Sequence, residues 1–257
     1  MQPARRHGPR AAQPASARSL RGCHNTPLMP TTDANGLPRL PGRMVLRTDP
    51  DRAIDALLAD LFIHANNCVR AFGDFHLAVS ATPASEPALM RLMYDPPYRE
   101  FPWKRTRLWM VDELDLPAEH PDLRGPRLAE TLVALSGLPE SQFHPIEYAD
   151  TVEAYRRLLG EHLGWREKGH DRLDFVFLTV EPDGELSGVG ESPVPRVVIP
   201  PEFIRSARFV AVFAPGPDVN SAVAGLAARA RDGTLGLAPV GGELAWYVAV
   251  DPLKGEE

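Results

Sequence analysis

The sequence predicts an α/β protein built on a doubly wound, mostly parallel sheet with helices on both faces. Three observations lead there. Helix-period and strand-like segments alternate from about residue 44 to residue 250. Residues 173–180, LDFVFLTV, form a near-unbroken apolar run of the kind found in strands buried on both faces. Residues Ile54, Leu57, Leu58, Leu61, Phe62, Ala65, Cys68, Val69 and Phe72 recur at helical spacing, so a long amphipathic helix precedes the first core strand.

Taken in order, Asp49 and Pro50 supply an N-cap and a first-turn proline for that helix. Phe75–Ala81 reads as a short buried strand. Residues 83–92 read as a helix with Pro83 near its start. Thr106–Glu113 reads as a second strand ending in acids, and Leu128–Leu135 as a helical run. Residues 151–163 form a helix in which Glu153 and Arg157 are spaced for a surface pair. Residues 173–180, Arg196–Ile199, Phe209–Phe213 and Leu244–Val250 supply further strands, with a helix over residues 219–230 between the last two. Residues 43–257 are therefore expected to form a single domain. Residues 1–42, rich in Pro, Ala, Arg and Ser without apolar periodicity, read as a disordered tail.

Charge is distributed unevenly. The 257-residue chain has a formal net charge of -6, but residues 1–43 hold seven arginines and one acid. Beyond them 21 Lys and Arg face 33 Asp and Glu, a net of -12. So acidic a body is a poor general partner for double-stranded nucleic acid. Its apolar runs are too short to span a bilayer. Two cysteines, Cys23 and Cys68, make neither a disulfide framework nor a closed zinc site, which points to a reducing cytoplasm. No His-x-x-x-His pair, P-loop, dinucleotide fingerprint or Gly-x-Ser-x-Gly elbow occurs. His64, His144 and Cys68 read as structural, Arg205 and Arg208 as surface charges, and Trp103 as a half-buried loop residue.

In open α/β sheets ligands sit outside the carboxyl ends of the strands. That rule selects Ser80, Ala81 and Thr82 after one strand, Asp112 and Glu113 after the next, and residues 181–190 after a third. At these loops the sequence resembles the 6-phosphogluconolactonase family, within the wider glucosamine-6-phosphate isomerase group. LAVSATP (77–83) is similar to the family's strand and Ser-Gly-Gly-Ser-Thr-Pro loop. RLWMVDELDLPAEHPD (107–122) is similar to its strand, Asp-Glu-Arg and acidic loop. FHPIEYADTVEAYRRLL (143–159) carries its His-Pro-Ile stretch and helix. LDFVFLTVEPDGELSG (173–188) is similar to the strand before Gly-x-Asp-Gly-His-Thr. SPVPRVVIPPEFIRSARFVAVFAPG (192–216) and AWYVAVD (245–251) are similar to the later strands.

The resemblance implies hydrolysis of 6-phosphoglucono-lactone in the pentose phosphate pathway, a sugar phosphate as partner, and neither metal nor cofactor. It also implies site residues. Ser80 and Thr82 would donate to substrate, although both loop glycines are gone, and an ordinary strand-to-helix turn with Thr82 near the cap is the plainer reading. Asp112 and Glu113 would be orienting acids, but Leu114 replaces the family's Arg, and Leu123 and Arg124 its Ser-Asn. Asp183 and Gly184 keep the Asp-Gly of the catalytic turn, yet Glu185 stands where the family has its general-base His. Thr179-Val180-Glu181 replaces the preceding Gly-x-Gly. Arg196 matches an Arg near the substrate phosphate, while Val219 falls at a family Lys. A solvated carboxylate is a weaker base at neutral pH than imidazole. The expectation is therefore weak, altered or absent lactonase activity through Glu185. A non-catalytic relative that binds a sugar phosphate or a protein, and an amino-sugar-phosphate isomerase, are the alternatives.

Overall fold

The computed structural model describes residues 32, 37–147, 152–189, 195–216, 218–237 and 240–250, all within one compact unit that spans residues 32–257. Most of the expected tail and most of the SPVP loop lie outside the described residues. Leu37 and Leu40 are buried, so core packing begins before residue 43.

The chain opens with β1 (Arg43–Arg47), a short Met-Val-Leu strand between arginines at the start of the expected domain, and continues into α1 (Pro50–Phe72). Asp49 caps α1, its carboxylate accepting from the Asp51 N–H at 2.9 Å. Gly73, at φ +88°, ends it by donating to the Val69 carbonyl. Then follow β2 (Phe75–Val79), α2 (Glu86–Tyr94), β3 (Thr106–Met110) and β4 (Asp112–Leu114). α2 begins three residues later than expected, because Ser85 folds back onto the Thr82 carbonyl with both its N–H and its hydroxyl. Next come α3 (Arg124–Leu128), a π-helical turn (Ala129–Val133), α4 (Ala134–Ser136) and β5 (Phe143–His144). The chain closes with α5 (Val152–Leu163), β6 (Phe175–Thr179), β7 (Arg196–Val198), α6 (Pro201–Ser206), β8 (Phe209–Ala214), α7 (Val219–Arg231) and β9 (Glu243–Ala249).

Seven strands form one parallel sheet in the order β1-β9-β8-β6-β2-β3-β5. Every residue of β2, β6 and β8 is buried, as a sheet covered on both faces requires. Two expected strands behave differently. Thr106–Glu113 breaks at Val111, and its acidic end becomes β4. The Arg196 strand, β7, pairs with β4 antiparallel, outside the main sheet. His144 stacks on Trp109 at 4.0 Å, Cys68 lies in the core, and Trp103 is buried against Phe101. Among the described residues no helix is long and apolar enough to cross a membrane.

The amino ends of three neighbouring strands are tied by buried charge. Arg166 places Nη1 and Nη2 each 2.9 Å from the two oxygens of Asp174, just before β6, and reaches Asp74, just before β2. The second oxygen of Asp174 also accepts the His76 N–H. Arg208, read from sequence as a surface charge, instead lies half-buried before β8 with Nε 3.4 Å from Asp174. Burial alone would raise the Asp74 pKa, but hydrogen bonds with His76 and Arg166 hold it down to about 2. The folded state therefore favours the charged form. Its contribution, about 1–2 kcal/mol after solvent screening, is whole above about pH 5 and is lost as pH falls toward the folded pKa. Urea melts between pH 7 and pH 2 should show this decline, and Asp74→Asn should flatten it while lowering stability at pH 7.

Candidate functional site

The strand order reverses between β2 and β6. From β2 the chain winds outward through β3 and β5, and from β6 it winds the other way through β8 and β9. Such a switch point leaves a crevice outside the strands' carboxyl ends. Ser80 and Thr82 leave β2 there, and Thr179 and the turn after it leave β6. Four hydroxyls close on one another, each residue no more than 2% exposed. The Ser187 hydroxyl donates to Ser80 Oγ at 2.5 Å and accepts from the Thr179 N–H at 3.0 Å. Thr82 Oγ1 lies 2.9 Å from Thr179 Oγ1. The next residue explains the tightness. Gly188 sits at φ +68°, where a Cβ would come within 2.1 Å of a Val111 methyl. Only glycine lets this turn press on the residue at which β3 leaves the sheet.

That departure delivers Asp112, whose side chain is fully buried. Its Oδ2 accepts from Arg124 Nη1 at 2.8 Å and from Arg196 Nη1 at 3.1 Å. Its Oδ1 is buried without a hydrogen bond. Arg196 arrives through the β4–β7 register, opposite Leu114. Arg124 arrives through Glu113, whose carboxylate accepts the N–H groups of Leu114, Arg124 and Gly125 at 2.7, 3.0 and 2.6 Å. Glu113 thus fixes the start of α3 through these three N–H groups.

The turn 181–188 divides its acids between two directions. Glu185 makes an ion pair with Arg229 of α7, and its side chain is 40% exposed. Asp183 accepts the Glu185 N–H at 3.0 Å, and Gly184, at φ +84°, passes Ala222 of α7. The expected proton acceptor is therefore held on α7, because Arg229 rises from that helix to meet it. Glu181 faces the other way. It is half-buried, and its Oε1 is buried without a hydrogen bond. Burial raises its pKa, Arg124 and Arg196 pull it down, and Asp112 and Asp183 push it up, so its carboxyl senses the whole ion cluster.

The structure thus brings Asp112 and Arg196 together, and groups Ser80 with Thr82. It sets Gly184 and Glu185 against α7 and leaves Asp183 exposed, bonded to the Glu185 N–H. Arg124 and Glu181 were not anticipated as site residues. The signal was present in the sequence: each puts a charge where the resemblance expects a neutral residue. Among the described residues no group of three or more His, Cys, Asp or Glu is arranged to hold a metal ion.

The family model described as glucosamine-6-phosphate isomerases/6-phosphogluconolactonase matches residues 48–189, more than half of the chain. The GDH/6PGL endoplasmic bifunctional protein of Oryctolagus cuniculus is 26% identical over 80% of this chain, which spans only 29% of that relative's length. In fold, a 6-phosphogluconolactonase from Trypanosoma cruzi superposes with a TM-score of 0.65 at 16% identity, covering 80% of this chain and 93% of that one. The Thermotoga maritima 6-phosphogluconolactonase gives 0.64 at 15% identity, covering 80% and 98%.

The two acids should differ sharply in stability. Glu113→Ala leaves three backbone N–H groups unpaired and should cost about 2–3 kcal/mol. Glu185→Ala removes an exposed pair and should cost less than about 1 kcal/mol. Denaturant melts of both variants check the contrast.

Proposed function

Since the chain belongs to the glucosamine-6-phosphate isomerase/6-phosphogluconolactonase family, we propose that it is a slow hydrolase of 6-phosphoglucono-lactone or a closely similar phosphorylated lactone. One observation carries this reading: the half-buried carboxyl of Glu181, one oxygen of which is buried without a hydrogen bond, lies near enough to Asp112, Arg124 and Arg196 to feel their charges. Arg124 and Arg196 offer guanidinium donors to the anionic group, and Asp112 orients them. Water attacks the lactone carbonyl while Glu181, in its ionised form, takes the proton. The ring C–O bond then breaks, and Glu181 passes the proton it took to the departing oxygen, giving the open hydroxy acid with Glu181 ionised again.

Glu181 is better supported as acceptor than Glu185, because Glu185 is already engaged by Arg229 and open to solvent. A carboxyl with a raised pKa is a stronger base than a solvated one. The tight hydroxyl network accounts for slowness: Ser80 is bonded to Ser187 and Thr82 to Thr179 rather than open to a phosphate. The same network favours a second reading, a sugar-phosphate binder without chemistry. The acidic body argues against nucleic acid as a partner, and the low cysteine content is consistent with work in the cytoplasm.

Loss of fresh 6-phosphoglucono-lactone, followed against the spontaneous rate, tests the proposal. The parent protein should exceed that rate. Glu181→Gln should cut the excess about a hundredfold, and Glu185→Gln should change it only about twofold. The rate should fall as pH drops through the raised Glu181 pKa, where the acceptor form disappears. No excess rate in the parent removes the hydrolase reading and leaves the binder.

A further inference from the structure

Beside the ion cluster lies a cavity of about 330 Å³, between residues 81–85, α2 and residues 121–132. That is room for a small ligand. Its body is lined by Leu89, Met90, Leu114, Leu123, Leu128 and Leu132. The hydroxyls in its wall are already bonded within the protein. Ser85 donates to the Thr82 carbonyl at 2.8 Å, Thr82 is bonded to Thr179, and Thr131 donates to the Arg127 carbonyl at 2.8 Å. A polyhydroxylated sugar placed here would strand its hydroxyls against leucines, which is costly.

The cations in the wall are Arg124 and Arg127, and the anions are Glu86 and Asp122. Arg124 bonds Asp112 through Nη1, and a guanidinium carries five N–H donors. Arg127 is 60% exposed and pairs with Glu86 across from α2 at 2.5 Å. An exposed pair of this kind contributes little and exchanges readily for another anion.

We propose that this cavity binds a small molecule with an apolar body and one terminal phosphate or carboxylate. The body lies among the leucines, and the head replaces Glu86 on Arg127 and reaches Arg124. Leu114 is then more than a lost arginine, since it supplies apolar wall at the point where β4 ends. The site adjoins the proposed reaction centre through Arg124, but it does not depend on hydrolysis.

Calorimetry on the full chain tests this, with octyl phosphate below its micellar range as probe and inorganic phosphate and 6-phosphogluconate as comparators. Octyl phosphate should bind at least about tenfold more tightly than either, since each buried methylene strengthens binding roughly fourfold. Arg127→Gln should weaken it, and Thr131→Trp, which fills the cavity, should abolish it without changing the thermal melt. Glu86→Gln removes the competing carboxylate and should tighten binding, a gain that misfolding would not produce. Octyl phosphate binding no tighter than inorganic phosphate, or binding indifferent to all three substitutions, overturns the proposal. The lactone assay is read separately, so failure of the hydrolase reading leaves this result standing.

Discussion

Two guanidinium groups converge on a single buried oxygen of Asp112, and the carboxyl edge of the sheet is organised around that contact. Three charges this close and this dry are stable only together. Removing the carboxylate leaves two cations facing each other, and removing either arginine leaves the acid under-compensated. The geometry therefore imposes conditions on distant parts of the chain. The β3 strand must leave the sheet at Val111, β7 must run antiparallel beside β4, and Glu113 must hold the start of α3 so that Arg124 arrives on time. Each condition is met by a backbone feature: the Leu114–Arg196 register, the three N–H groups on Glu113, and the glycine at 188 that lets the β6 turn close over Val111.

Much of the architecture was legible in residue patterns. The apolar run through Phe175–Thr179 and the spacing from Ile54 to Phe72 reflect burial, and burial is what periodicity reports. The strand pairing of Arg196 was not legible, because a three-residue ribbon outside the main sheet has the same local pattern as a strand within it. β1 was missed for a similar reason: three apolar residues between arginines show no period. The site was partly legible. The rule that ligands gather at carboxyl ends selected loops that the fold does bring to one sheet edge, those of Ser80, Asp112 and Thr179. It could not say which side of the turn each acid would occupy, and there the position of Glu185 depends on Arg229, 44 residues further along the chain.

The carboxyl edge combines charge with apolar wall. Asp112 pairs with Arg124 and Arg196 there, and Leu114 and Leu123 line the cavity beside them. The amino end of the sheet is fixed separately by Asp74, Arg166 and Asp174. That cluster ties the strands at the end opposite the crevice.

The most direct test of this account is a crystal structure with 6-phosphogluconate bound. The account predicts an anionic group of the ligand on Arg124 and Arg196, with Glu181 facing its carboxyl carbon and Glu185 still paired to Arg229. A ligand held by Glu185 and Arg229, with Glu181 remote from it, would contradict the account.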